Sequence, residues 1–139
     1  QCQPEQNEDL RKVYENNKIE YSIFNYTHDI ASVYKQTNLA ISRAGSSALA
    51  ELLNCRIPII AIPLSHSADD HQYKNAMYYE KKGFGIVMKE EKVENDLFHL
   101  IQKLYNNKST LNLIKSNQSK HSDTDVFKRV NSELKEFFV

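Results

Sequence analysis

The feature that most constrains this chain is the run over residues 38–76, NLAISRAGSSALAELLNCRIPIIAIPLSHSADDHQYKNA. It opens on an apolar run at 39–41 and breaks at the polar turn Ser42-Arg43-Ala44-Gly45. A helix pattern starts at Ser46-Ser47, with Ala48, Leu49, Leu52 and Leu53 as its buried stripe. A second apolar run, 57–64, has Pro58 near its start and Pro63 near its end, both places where a strand tolerates proline. Ile57, Ile59, Ile60, Ala61 and Ile62 are apolar without alternation, as in a parallel strand covered on both faces. A loop dense in His and Asp then leads into a helix capped by Asp69/Asp70, running to Lys82 and stopped by Gly83. Strand, turn, helix, strand, loop, helix is half of an open α/β sheet. In such sheets ligands sit outside the carboxyl ends of the strands, where segments 42–47 and 65–75 fall.

The flanks extend the pattern. Residues 8–17 place Leu10, Val13 and Tyr14 on one face of a short helix. Residues 19–26 (IEYSIFNY) alternate as a strand, with Ile19, Tyr21 and Ile23 on one side. Thr27-His28-Asp29 opens a helix carrying Ile30, Val33 and Tyr34, with Thr27 or His28-Asp29 placed to cap it. Downstream, 84–88 reads as a strand and 95–106 as an amphipathic helix through Leu97, Leu100, Ile101 and Leu104. The Lys/Asn/Ser-rich stretch 106–124 reads as a solvated connector or short helix, and 125–138 as a last helix. This alternation predicts a parallel α/β sheet of four strands in one domain, 1–139. A doubly wound sheet grows outward from its first strand, yet a helix comes first here and the chain opens on Gln1-Cys2-Gln3-Pro4. A piece lacking its first strand or strands is therefore expected.

Bulk numbers remove several classes of function. The 18 basic and 18 acidic side chains cancel, so there is no electrostatic footprint for nucleic acid. No apolar stretch approaches the roughly 20 residues that span a bilayer. Cys2 and Cys55 make neither a disulfide framework nor a metal cluster; Cys55, at a helix end, reads as a reduced, packed thiol of a cytosolic protein. With three glycines, the chain carries no Gly-rich phosphate loop.

Chemistry concentrates in the two polar segments. Gly45-Ser46-Ser47 opens a helix whose first N–H groups face positive potential, a site for phosphate or simply a helix cap. Glu51 lies four residues after Ser47 on the same face. Its carboxylate suits the two hydroxyls of a ribose, or is a solvated surface group. His66, Asp69, Asp70 and His71 lack the spacing of a metal site, and neither a metal nor a cofactor is expected. Gln72 and Asn75, three apart at a helix start, offer amide donors and acceptors to sugar hydroxyls, or are ordinary helix residues.

The combination SRAGSSALAEL followed by IPLSHSADDHQYKNA resembles the C-terminal domain of the MurG family of peptidoglycan N-acetylglucosaminyltransferases. The resemblance covers essentially the whole chain, including the approach FNYTHDIASVYKQTNLAISRAG. It implies a Rossmann-like parallel sheet, the C-terminal half of a two-domain GT-B glycosyltransferase, with the Gly-rich loop and its strand upstream of Gln1. It implies an inverting transfer of N-acetylglucosamine from UDP-N-acetylglucosamine to a lipid-linked muramyl pentapeptide (lipid I to lipid II). That reaction serves peptidoglycan synthesis at the cytoplasmic face of the inner membrane. Carried onto this chain, the family's donor site makes Thr27 the residue whose backbone meets uracil. Gly45, Ser46 and Ser47 flank the diphosphate, and Glu51 grips the ribose. His71 and Gln72 face the sugar hydroxyls, and Asn75 supports the same pocket.

The resemblance leaves the catalytic base, the acceptor groove and the membrane-docking surface to a missing N-terminal domain. One position departs from the pattern: Ala48 stands where the family commonly has Thr. Two other readings keep the fold: a UDP-sugar transferase with a different acceptor, and a non-catalytic module.

Overall fold

The computed structural model describes residues 1–122, 128 and 130–135, with only the backbone of Ala68. It divides into two compact units, Gln1–Lys35 and Gln36–Val139.

In the second unit three parallel strands, β1 (Ala40–Ser42), β2 (Ile59–Ala61) and β3 (Gly85–Val87), lie in the order β1-β2-β3. Ile41 pairs with Ile60 and Ile60 with Ile86. Helix α3 (Ser46–Asn54) joins β1 to β2, and α4 (His71–Lys81) joins β2 to β3. Parallel pairing requires such crossovers, and it puts the starts of both helices at one edge of the sheet. Helices α5 (Val93–Asn106) and α6 (Ser109–Ser119) follow β3.

All three residues of β2 are buried, which explains the unbroken apolar run in the sequence. Ile60 packs with Met88 and Leu104, and around them lie Leu97, Leu100 and Ile101 of α5. Strand alternation turns Ile59 and Ala61 to the opposite face. Leu49, Leu52 and Leu53, the predicted stripe of α3, are buried. Gly85 is needed for strand spacing: a Cβ there would come within 2.8 Å of the Ile59 carbonyl oxygen.

The connector after residue 106 is the helix α6, and it contributes to the core. Ile114 and Gln118, one turn apart, are both buried. Gln118 Nε2 donates to the carbonyls of Ile57 and Phe84, each at 2.9 Å. One amide thus holds the entries to β2 and β3 together.

Helices α3 and α4 end the same way. At α4, Gly83 takes φ +70°, its N–H donating to Glu80 O (2.8 Å) and the Phe84 N–H to Tyr79 O (2.9 Å). This is a Schellman close, for which glycine is suited. At α3, Arg56 takes the same left-handed position with φ 56°, with Arg56 N–H to Leu53 O and Ile57 N–H to Leu52 O, each 2.9 Å. Cys55 at this end is exposed rather than packed, because the buried stripe of α3 stops at Leu53.

The first unit contains a 3-10 turn at Pro4–Gln6, then α1 (Asn7–Asn16) and the start of α2 (Ile30–Gln36). Within α1, Leu10 and Tyr14 are half-buried, but Val13 is exposed. Asp29 caps α2 by accepting the Ser32 N–H at 3.1 Å, and Thr27 Oγ1 accepts the Asp29 N–H at 3.1 Å. The strand predicted at 19–26 is not formed, so three strands are described instead of four. A strand needs a ladder, and this segment is tied down mainly by side chains. Asn25 and Asn7 exchange paired amide bonds of 3.0 Å, and Asn25 Nδ2 also donates to Cys2 O at 2.9 Å. Tyr21 stacks on Tyr14 at 5.2 Å and its hydroxyl donates to Glu15. A backbone bond, Cys2 N–H to Phe24 O at 3.2 Å, completes the attachment.

Half of the helix predicted at 125–138 lies outside the described residues; residues 128 and 130–135 are helical and exposed. Among the described residues no helix is long and apolar enough to cross a membrane.

Candidate functional site

The carboxyl ends of the three strands carry the polar residues of the second unit. After β1 come Arg43, Ala44 and Gly45. Gly45 is the N-cap of α3 in extended backbone (φ −66°, ψ 138°), and its carbonyl accepts the Leu49 N–H at 3.0 Å. No side chain caps this helix start, and a Cβ added at Gly45 would meet no heavy atom within 4 Å. Ser46 and Ser47 are exposed at the first positions of α3. The turn therefore presents helix N–H groups to open space, as an anion site requires. Glu51 is exposed on the same helical face as Ser47.

After β2 the chain makes a tight loop into α4. Leu64 O accepts the Ser67 N–H at 3.3 Å, and Ser67 O accepts the Asp70 N–H at 3.0 Å. Asp69 and Asp70 both have left-handed backbone, φ 49° and 53°. Neither Asp is the predicted side-chain cap: Asp70 is the N-cap residue, but its side chain makes no capping bond. In that left-handed backbone it does not have the extended geometry from which a carboxylate reaches the N–H groups ahead. Instead Gln72 closes the loop, its Oε1 accepting the Leu64 N–H at 3.0 Å and its own N–H directed at Ser67 Oγ at 3.4 Å.

His71, exposed, and Gln72, half-buried, are the first residues of α4. Asn75, one turn on, donates from Nδ2 to Ala44 O at 3.3 Å. The structure thus joins the start of α4 to the turn before α3, bringing two of the predicted motifs to one edge. Thr27 belongs to the first unit, where it is half-buried beside α2.

A feature that the sequence reading missed lies at the same edge. Glu90, just after β3, accepts from Arg43 Nη2 at 2.6 Å through Oε1. Its Oε2 accepts the Ser65 hydroxyl and the Ser65 N–H, the latter at 3.1 Å. The Ser65 hydroxyl, then Arg43, then the Ser65 N–H hold the Glu90 carboxyl down at about 2. Glu90 stands between two open grooves. One, of about 450 Å³, is lined by Ile41, Ile62 and Val93; the other, of about 320 Å³, by Leu64, Tyr73 and Lys89. The available signal was position alone, a carboxylate in the first residues after a predicted strand.

Comparison with known proteins agrees with this architecture. The family described as glycosyltransferase family 28 C-terminal domain matches residues 1–130. The chain belongs to that family. Among relatives of this family 28 domain is a protein of Pelagibacter ubique, 31% identical over 128 residues, 91% of this chain and 36% of the relative. Another, from Rickettsia bellii, is 38% identical over 119 residues, 81% of this chain and 33% of the relative. Both bear the name UDP-N-acetylglucosamine–N-acetylmuramyl-(pentapeptide) pyrophosphoryl-undecaprenol N-acetylglucosamine transferase. The crystal structure of Acinetobacter baumannii MurG superposes with a TM-score of 0.77 at 21% identity, covering 88% of this chain and 37% of that one. The family 28 domain described here therefore has the fold of that part of MurG. It spans about a third of the length of these relatives.

Proposed function

We propose that this chain is the donor-binding half of an inverting transferase. The enzyme moves N-acetylglucosamine from UDP-N-acetylglucosamine to undecaprenyl-diphospho-muramyl pentapeptide, the lipid I to lipid II step. The observation that carries the reading is the Asn75–Ala44 bond, which brings the SRAGSS turn and the start of α4 to one edge of the sheet.

Each assigned residue has a chemical task. The N–H groups opening α3 at Ser46 and Ser47 take the diphosphate, and the missing Cβ of Gly45 leaves room for it. Glu51 accepts from both ribose hydroxyls. Thr27 meets uracil through its backbone. Gln72 has its Oε1 occupied by the Leu64 N–H, so it meets the sugar as a donor through Nε2. His71 and Asn75 complete the sugar side.

In the displacement, the acceptor hydroxyl forms a bond to C1 of the sugar as the bond from C1 to the diphosphate oxygen breaks. The hydroxyl proton passes to a base, and UDP departs with the added negative charge. Helix N–H groups aimed at the diphosphate favour that charge as it develops. The base, the acceptor groove and the contact with the cytoplasmic face of the inner membrane are assigned to the other half of the enzyme.

Calorimetric titration of nucleotides into the chain tests the donor assignment. UDP and UDP-N-acetylglucosamine are expected to bind, and ADP and GDP to bind at least about tenfold more weakly, since a pocket that pairs with one base leaves buried polar groups unmatched by another. Equal affinity for all four would remove the nucleotide-sugar reading.

A further inference from the structure

We propose that Glu90 is a positioning residue of the donor site. By tying the carboxyl ends of all three strands together, it fixes the loop that delivers His71 and Gln72 to the donor sugar. The inference rests on the donor-site reading above and adds a residue that contacts no part of the donor.

The geometry is a three-way junction. Arg43 follows β1, Ser65 lies in the loop after β2, and Glu90 itself follows β3. One carboxylate meets the other two ends, Arg43 through Oε1 and Ser65 through Oε2. An isolated surface ion pair contributes little. Here one of the three donors is a backbone N–H, so the carboxylate holds the path of the chain as well as a side-chain tip. The same donors hold the Glu90 carboxyl below its usual range, so the junction keeps its charge into mild acid.

The loop needs this support. Its exit runs through two consecutive left-handed residues, Asp69 and Asp70; Asp adopts this backbone singly, but a consecutive pair needs support from surrounding contacts. Glu90 grips the loop at Ser65, and Gln72 grips it from the other end at Leu64 and Ser67. Between these anchors the strained pair sets the direction in which α4 leaves, and His71 and Gln72 are its first residues. The groups assigned to the nucleotide lie on α3, which is held by its own Gly45–Leu49 bond and by the buried Leu49, Leu52 and Leu53; the Asn75–Ala44 bond and the Arg43 pair link them to this loop. Loss of Glu90 should therefore fall on the sugar and largely spare the nucleotide.

The test compares the chain with Glu90→Ala, Glu90→Gln and Ser65→Ala by titration of UDP and of UDP-N-acetylglucosamine. Amide hydrogen exchange at Ser65 is measured without ligand. In Glu90→Ala, Ser65 exchange is expected to rise about tenfold or more, as an N–H loses its charged acceptor. UDP-N-acetylglucosamine binding should weaken about tenfold, with UDP held within about threefold. Glu90→Gln keeps an acceptor for Ser65 and should recover part of the loss. Ser65→Ala keeps the Arg43 pair and the backbone bond, and should shift the ratio of the two affinities by about threefold in the same direction. It carries the test if Glu90→Ala does not fold.

A folded Glu90→Ala with the parent's affinity ratio overturns the proposal, as does an equal loss for both ligands. With Ser65→Ala as the deciding variant, an unchanged ratio does the same. If the parent binds neither ligand, the donor-site reading fails and this one with it. If the parent binds both and Ser65 exchange is unchanged in Glu90→Ala, only the positioning role fails.

Discussion

Asn75 Nδ2 lies 3.3 Å from the carbonyl oxygen of Ala44 and donates to it, although 31 positions separate the two residues. Ala44 is fully buried, so its carbonyl depends on protein donors. Removing the amide in Asn75→Ala is expected to cost about 1 kcal/mol of stability. Asn75→Asp should cost more, because it sets a carboxylate against a carbonyl where a donor stood. Urea denaturation of the two variants checks the order, and Asp proving the milder change would contradict the bond.

Glu51 carries the most direct prediction about the ligand. A carboxylate that accepts both ribose hydroxyls makes charge-assisted bonds of about 1.5–3 kcal/mol each. Glu51→Ala is expected to weaken UDP binding on the order of tenfold to a few hundredfold, and Glu51→Gln less, since the amide keeps one acceptor. The fold should be indifferent, because Glu51 is exposed and lies off the Leu49, Leu52 and Leu53 stripe. Unchanged UDP affinity in a folded Glu51→Ala would reduce Glu51 to a surface helix residue.

Gln118 makes the clearest prediction about stability. Gln118→Leu keeps most of the volume but deprives the carbonyls of Ile57 and Phe84 of their shared donor. A loss of about 1–3 kcal/mol is expected. It is moderated because the Gln118 Oε1, itself buried without a partner among the described residues, disappears too. Chemical denaturation reads the difference; a Leu variant more stable than the parent would mean the clamp contributes nothing net.

Arg56 is a site for improvement. It closes α3 with φ 56°, where α4 uses Gly83. Arg56→Gly relieves the left-handed penalty on an exposed L residue, against the greater freedom of glycine in the unfolded chain. A gain of about 0.5–1 kcal/mol is expected. Gly83→Ala should act in the opposite direction, since a Cβ there would approach Asn117 Nδ2 to 2.5 Å as well as meeting the φ penalty. Thermal melts of both variants test the pair.

The Glu90 junction predicts a pH dependence with a definite sign. Its carboxyl is lowered from 4.5 to about 2 in the folded chain. A depressed carboxyl contributes stability that is complete above the unfolded value and lost as pH falls through the folded one. Melting temperature should therefore fall between pH 4.5 and about 2, and Glu90→Gln should flatten part of that fall. Asp29, lowered by the Ser32 hydroxyl and N–H, acts in the same direction. A Glu90→Gln variant with the parent's full acid dependence would contradict the assignment.

The sequence determined a great deal where structure is local. The continuous apolar run in 57–64 marks a strand buried on both faces, and β2 is one. The stripe Leu49, Leu52 and Leu53, the turn at Gly45 and the stop at Gly83 were all readable, because periodicity and glycine act over a few residues. The parallel topology followed from the alternation of elements, and with it the sheet edge where Gly45, Gln72 and Asn75 gather.

Tertiary structure alone decided three things. Residues 19–26 have the alternation of a strand, but alternation does not supply a neighbour, and Asn25, Tyr21 and Cys2 hold the segment by other bonds. Gln118 lies in a polar stretch with no pattern to mark it, and it became a core clamp because two strand entries left carbonyls facing one helix. Glu90, Arg43 and Ser65 are distant in the chain and ordinary in composition. They meet because parallel strands end side by side, and that adjacency is a property of the sheet that no local window of sequence contains.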